Sequence, residues 1–316
     1  MRIETDMTSH FFLADSNLQI ASAVLRISGP DANTYLQGQF TQDVRLKPQN
    51  FCYGLWLNQK GKVLADSYIL RENTDQHLVF APRTEAAVLR ERLDAYLIAD
   101  EVDIIDESTT WLPAYWWCEA EAGPAVNALS LAGLDWPAPP AFARVDGAWL
   151  FQIAGAPVFT LALLIPAEAR DAWRARLQTT GATEADWAEA ELARIQAGRI
   201  AVPDDVGATD LPNEAGLETS AISYTKGCYL GQEVMSRLKN LGQVRRKLLR
   251  VRGPGEPPPR GATLSQAGQR VGEMRSAARS GDGFVGFAML SLIALDAAQP
   301  IARAPEANAD IVIDHG

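Results

Sequence analysis

Two apolar, strand-like runs flank a five-residue turn near the start of the chain, and this hairpin restricts the fold more than any other feature. Phe51-Cys52-Tyr53-Gly54-Leu55-Trp56-Leu57 reads as a strand, Asn58 to Lys62 as a turn with glycine where positive φ is needed, and Val63 to Arg71 as the return. A turn this short joins antiparallel neighbours, whereas parallel strands need long crossovers. Further strands are expected over 18–28, 77–81 and 102–105. Pro30 and Asp31 open a short helix through Gln39, and 84–97 has helical spacing with Val88, Leu89, Leu93 and Leu97 on one side. Interleaved helices and hairpins predict α+β layers rather than a doubly wound sheet.

The second half continues the pattern. Residues 121–141, rich in Ala, Pro and Gly, read as a helix with a loop; 148–153 and 158–165 form a second hairpin; 168–178 is helical. Thr183 is the expected N-cap of a helix ending at Gly198, with Ala188, Leu192 and Ile195 inward. Residues 199–224 read as an ordered loop crossing the surface. Short strands at 246–252, 262–265, 270–276, 283–289 and 310–314 have barrel-like spacing, with Pro254-Gly-Glu-Pro-Pro-Pro259 as a loop among them. The expected domains are an N-terminal α+β domain (1–115), a middle α+β domain (116–242) and a C-terminal β-barrel (243–316).

The chain has 316 residues, 47% hydrophobic and 22% charged, an ordinary soluble balance. Cys52, Cys118 and Cys228 lie far apart with no Cys-x-x-Cys, which argues against a disulfide framework or a self-contained zinc or iron–sulfur site and fits a reducing compartment. No secretory signal pattern and no membrane-length apolar stretch occur, so a cytoplasmic protein with no membrane association is expected. A formal net charge of −10 opposes bulk nucleic-acid binding. One segment runs the other way: Arg237, Lys239, Arg245, Arg246, Lys247, Arg250 and Arg252 stand together without an acid. It reads either as a solvated helix end and strand face or as a site for a polyglutamate tail, a phosphate or an RNA backbone.

The densest chemistry lies just before that run, in Lys226-Gly227-Cys228-Tyr229-Leu230-Gly231-Gln232-Glu233. A thiol beside a lysine and ahead of a helical pattern (Glu233, Val234, Met235, Leu238) is expected to favour its thiolate, a nucleophile and soft metal ligand. The competing reading is a buried cysteine in a tight turn. Of the histidines His10, His77 and His315, none adjoins Cys228, so a Cys-His hydrolase is poorly supported. Asp66, inside the apolar strand Leu64-Ala65-Asp66-Ser67-Tyr68, either faces a pocket or lies on the polar face of a sheet. Trp111, Tyr115, Trp116, Trp117 and Trp187 could wall a flat heterocycle or form ordinary core.

The octapeptide resembles the signature of the YgfZ-type folate-binding proteins, relatives of the glycine-cleavage T-protein (aminomethyltransferase). Ile27-Ser28-Gly29-Pro30-Asp31-Ala32, Tyr35-Leu36-Gln37-Gly38-Gln39, Asn58-Gln59-Lys60-Gly61-Lys62 with Asp66, Arg194-Ile195-Gln196-Ala197-Gly198 and Leu211-Pro212-Asn213-Glu214-Ala215-Gly216-Leu217 extend the likeness from about residue 20 to about 290. It implies a three-part T-protein-like arrangement around a central folate-sized hole, with tetrahydrofolate as cofactor. Candidate folate contacts are Gln196, Trp187, Tyr229, Arg237 and Asp66. The T-protein's catalytic carboxylate falls near Ala87 and its pterin-holding carboxylate at Gln196, which argues against aminomethyl transfer.

The function implied is a folate-binding accessory factor for iron–sulfur cluster assembly or repair that supports tRNA modification indirectly. Cys228 would be a redox-sensitive nucleophile or transient cluster ligand, Lys226 would stabilise its thiolate, Gly227 and Gly231 would permit the turn, Gln232 would secure the loop, and Glu233 would complement the helix dipole. The implied partners are folate and iron–sulfur assembly proteins or cluster enzymes, with a transient Fe–S cluster shared between Cys228 and a partner. A tetrahydrofolate-dependent one-carbon transferase and a direct tRNA-binding module are the alternatives.

Overall fold

The computed structural model describes residues 8–15, 21–118, 129–130, 132–135, 138–153, 159–304 and 309–314. The chain forms two compact units, one of residues 1–54 and 67–187, the other of residues 55–66 and 188–316. Much of the expected helix and loop over 121–141, the start of the strand expected over 18–28, and His315 fall outside the described residues.

The first unit is built on two sheets. In the five-stranded sheet the order is Asn50–Leu57, Val63–Arg71, Gln76–Ala81, Ala23–Ser28, Asp103–Asp106. In the six-stranded sheet it is Thr183–Glu184, Ser9–Leu13, Trp111–Cys118, Phe159–Pro166, Ala148–Gln152, Ala143–Val145. Val24, Phe51, Tyr68, Leu70, Leu78 and Phe80 from the first sheet pack with Trp111, Trp149, Phe151, Ala162 and Leu164 from the second. The opposite face of the six-stranded sheet, with Phe11, Leu13, Trp116 and Leu161, packs on Trp173 and Leu177 of helix Arg170–Gln178.

The aromatic run at 111–117 is therefore core. On strand Trp111–Cys118 alternate residues take opposite faces, Trp111 and Tyr115 toward one cluster and Ala114, Trp116 and Cys118 toward the other. Trp116 is fully buried and its indole N–H donates to Thr180 Oγ1 at 3.0 Å. Trp117 is buried against the His10 ring. Thr183 is not an N-cap: it pairs in parallel with His10, and the helix runs from Trp187 to Gln196. A free edge of Ser9–Leu13 offered that backbone a sheet partner, which outweighed its local capping preference.

The second unit holds the tip of the first hairpin, the signature segment and a closed six-stranded barrel. Around the barrel run Arg246–Pro254, Gly283–Ser291, Gln269–Ser280, Thr263–Gln266, Ile301–Ala302 and Ala309–Ile313, and Val251 pairs with Ile313 to close it. Val251, Leu264, Val271, Met274, Phe284, Ala288, Leu290, Ile301 and Ile311 fill its interior. The register of Gln269–Ser280 shifts between Met274 and Ala277. Such irregularities re-aim side chains, and here Arg275 and Ser276 reach two buried acids. Arg275 pairs with Asp210 at 3.0 Å, and Ser276 donates to Asp205.

The segment 199–224 is ordered, but it is no simple surface crossing. Asp205 and Asp210 are fully buried and Glu214 nearly so. Arg194 pairs with Asp205 at 2.8 Å and with Glu191 at 3.1 Å, and donates to Ser276 Oγ at 2.9 Å. Arg246 pairs with Asp210 at 2.8 Å and Glu214 at 2.7 Å. Buried acids stay ionised only when paired and hydrogen-bonded, so these arginines fix the path of the chain into the signature.

Candidate functional site

The signature helix spans Gln232–Leu241, and its N-cap Gly231 sits at φ 86° in the left-handed region. A Cβ at Gly231 would lie 2.8 Å from the Asn58 carbonyl oxygen and 3.3 Å from Gly61 Cα. Gly61, at φ 69°, would with a Cβ meet Met235 Cε at 2.9 Å and Val234 Cβ at 3.0 Å. The hairpin turn and the helix start thus meet backbone to backbone, which no side chain at either position would permit. Asn58 holds the turn by accepting at Oδ1 from the Lys60 and Lys62 N–H groups at 2.9 and 3.0 Å. Met235 plugs the junction and is fully buried.

Gly227 differs: a Cβ there would meet nothing within 4 Å. Gly231→Ala is expected to lose about 1–2 kcal/mol from the left-handed backbone alone, with a further loss from the contact on Asn58. Gly227→Ala is expected to stay within about 0.5 kcal/mol of the parent. Thermal melts of the two variants check the contrast; equal melting temperatures would contradict it.

Cys228 is exposed, Cys52 is partly buried and Cys118 is buried. The exposed thiol sits between two buried neighbours, Lys226 and Tyr229, and the Lys226 ammonium lies 5.2 Å from the Tyr229 ring centroid. Cys228 precedes the first helical residue by four positions. The dipole acts within the first turn, so the fold gives this sulfur access rather than the helix field expected for it. Gln232 is tied by its backbone N–H to the Tyr229 carbonyl at 3.2 Å. Glu233 lies in the first helical turn and pairs with Arg237, both groups being exposed.

The other expected contacts are distributed. Asp66 is buried rather than solvated. Gln196 ends its helix with an exposed side chain, while its carbonyl accepts from Arg250 at 2.8 Å. Trp187 belongs to the first unit, half-buried, with Phe12 at 5.4 Å and the Arg83 guanidinium at 4.7 Å from its ring. The basic run divides: Arg246 and Arg250 are taken up by Asp210, Glu214 and Asp314, Lys239 covers the Tyr224 ring at 4.2 Å, and Arg245, Lys247 and Arg252 remain exposed. The bond to Glu214 raises the Arg246 pKa further.

Sequence reasoning assigned no role to Asn213, Glu218 or Tyr224, which lie in the approach to the signature. Burial raises the pKa of the Tyr229 phenol, and that of Tyr224 as well. The available signal was a set of polar residues lodged between Pro212, Leu217, Ala221 and Ile222, all of which are buried.

Comparison with known proteins agrees with this anatomy. Residues 245–311 match the CAF17 C-terminal beta-barrel domain. The aminomethyltransferase T of the glycine cleavage system from Bartonella henselae superposes with a TM-score of 0.80 at 17% identity, over 98% of this chain and 85% of that one. The mitochondrial iron–sulfur cluster assembly factor IBA57 of Mus musculus is 27% identical over 301 residues, 85% of this chain and 75% of that protein. The tRNA-modifying protein YgfZ of Edwardsiella ictaluri is 29% identical over 276 residues, 83% and 79% respectively.

Fold and signature loop together define a T-protein-like α+β chain with a C-terminal six-stranded β-barrel and a cysteine at an exposed turn. Over most of its length the chain is similar to the YgfZ and IBA57 proteins, and it shares the fold of the T-protein. Among the described residues no helix is long and apolar enough to cross a membrane.

Proposed function

We propose that this chain is a folate-binding accessory factor in iron–sulfur cluster assembly or repair, supporting tRNA modification indirectly, with Cys228 as nucleophile or transient cluster ligand. Relatives named as iron–sulfur assembly factors and as a tRNA-modifying protein support the role. The observation that carries it is the exposed thiol at the glycine-fixed turn. As thiolate, such a sulfur is a nucleophile and a soft ligand suited to iron–sulfur species. Among the described residues no three His, Cys, Asp or Glu side chains converge to hold a metal. A cluster at Cys228 is therefore cargo, its remaining ligands coming from a partner or a small thiol. Tetrahydrofolate is the proposed small ligand.

Cys228→Ser is near-isosteric and tests the thiol. Melting temperature and tetrahydrofolate affinity are expected to match the parent while support of cluster enzymes in cells is lost; full complementation by the serine variant would defeat the proposal. Native-state alkylation gives an independent check. Iodoacetamide at neutral pH is expected to label Cys228 first, Cys52 more slowly and Cys118 last, in the order of their exposure. Mass spectrometry of the labelled peptides reads the order, and equal rates would remove the basis for a special thiol.

A further inference from the structure

Beside the core shared by the two sheets of the first unit, a group of charged and aromatic side chains reaches solvent. Arg144 stands opposite Trp149 across one strand pair, and Arg26 opposite Ile105 across another. Residues opposed in this way share a face of their sheet. Arg26 is committed: it donates to Glu72 Oε2 at 2.8 Å and to the two Glu107 oxygens at 2.5 and 3.1 Å. Glu107 also accepts from the Trp111 indole at 2.9 Å.

Arg144 is not committed. Its guanidinium makes no hydrogen bond among the described residues, and its ion pair with Glu72 Oε1 is long, at 3.9 Å. It lies instead over the Trp149 ring, 4.0 Å from the centroid, with the Trp111 ring at 5.7 Å. Trp149 is fully buried, and its indole N–H has no hydrogen-bond partner among the described residues.

An unmade buried hydrogen bond is costly, and proteins leave few of them. A guanidinium stacked on a ring keeps its in-plane N–H donors for a further partner. Unspent donors on Arg144 and Trp149 therefore lie beside an unspent acceptor, Glu72 Oε1. The formal charges of Arg26, Arg144, Glu72 and Glu107 cancel. A bare anion at Arg144 would face Glu72, and a bare cation at Glu72 would face Arg144. A ligand bearing both charges meets each with its opposite. In an α-amino acid one carbon separates them, which suits partners 3.9 Å apart. Ile105, 53% exposed beside Arg26, and the Trp111 ring supply apolar surface next to the charges.

The geometry points to a binding site for a free α-amino acid with an apolar side chain. Arg144, with the Trp149 N–H beside it, takes the carboxylate. Glu72 Oε1 takes the ammonium, and the side chain covers Ile105 and Trp111. Both polar contacts are charge-assisted, the stronger class, so Arg144 and Glu72 dominate affinity and Trp149 adds less. The site uses no residue of the signature loop and is independent of the folate reading.

Calorimetry of the full-length chain with L-leucine, leucinamide and 4-methylpentanoate tests it, since the amide lacks the carboxylate and the acid lacks the ammonium. L-leucine is expected to bind, and each analogue to bind roughly 10- to 100-fold more weakly. Arg144→Gln and Glu72→Gln are each expected to weaken L-leucine by a similar factor, while Glu72→Gln leaves 4-methylpentanoate no weaker. Isotope labelling of the indole nitrogens locates the contact. The N–H resonance missing from Trp149→Phe should shift as L-leucine is added to the parent.

A parent that does not bind L-leucine overturns the site, as does an unmoved Trp149 resonance. Leucinamide or 4-methylpentanoate binding as tightly as L-leucine overturns the assignment to an amino acid. Glu72→Gln changes shape little, so unaltered L-leucine affinity in that variant decides against the proposal even where Arg144→Gln fails to fold.

Discussion

Replacing Arg194 by alanine is expected to lower stability by about 3–5 kcal/mol, the usual consequence of removing one member of a buried ion pair. Asp205 is fully buried and takes its charge partner from Arg194 at 2.8 Å. The Ala201 N–H, at 2.8 Å, and the Ser276 hydroxyl also donate to this carboxylate, but neither brings a positive charge. Without the guanidinium an uncompensated carboxylate remains in the interior. The same side chain joins helix Trp187–Gln196, the segment after it and the irregular stretch of the barrel strand, so its loss loosens all three. Urea unfolding reads the effect as a lower midpoint. The double variant Arg194→Met with Asp205→Asn is expected to recover part of the loss, because removing both charges is far less costly than removing one. A single variant within about 1 kcal/mol of the parent would show that the pair does not hold this segment.

Mild acid is expected to destabilise the first unit through His77. The ring is fully buried, and neither nitrogen has a hydrogen-bond partner among the described residues. Burial, assisted by nearby Arg71, lowers its pKa from 6.5 to about 4. The unfolded chain therefore binds a proton that the folded chain refuses between these two values. The stabilising contribution is fully present above pH 6.5 and is lost as pH falls toward 4, at about 1.4 kcal/mol per pH unit and roughly 3 kcal/mol in all. His77→Leu is expected to flatten this part of the stability–pH curve. Asp43, whose carboxyl is held down to about 2 chiefly by its bond to Arg45, acts only at more acid pH. Parallel denaturation at pH 7 and 5 distinguishes the outcomes; an equal drop in parent and variant would place the acid sensitivity elsewhere.

Legibility in the sequence followed the range of the forces involved. The hairpin around Asn58–Lys62 and the barrel strands were readable because alternation and turn residues are local signals. The helix expected over 84–97 ends at Asp94, where Tyr96 and Leu97 turn back on Leu93 and Asp94 in tighter three-residue bonds. Strand Trp111–Cys118 shows no polar alternation because both its faces are covered, so it read as a cluster of rings.

In the site, Cys228 and Gly231 announced themselves through spacing, and the exposure of the thiol is what its chemistry requires. Asp205, Asp210 and Glu214 looked like ordinary solvated acids. Their burial depends on Arg194, Arg246 and Arg275, the last of which stands 65 positions from Asp210. Within the basic run, Arg246 was spoken for by Asp210 and Glu214, and Arg250 by Asp314. Asn213 and Glu218 carried no signal of their own, since the burial of a polar atom is invisible until the surrounding chain has closed over it.

The first hairpin leaves one compact unit and returns to it, donating residues 55–66 to the other. The thiol-bearing half is therefore not a severable cassette. A gene fragment beginning at residue 188 would lack the ledge of Asn58 and Gly61 on which Gly231 rests. During synthesis on the ribosome that ledge emerges long before the segment it receives, and must wait for more than a hundred residues to follow.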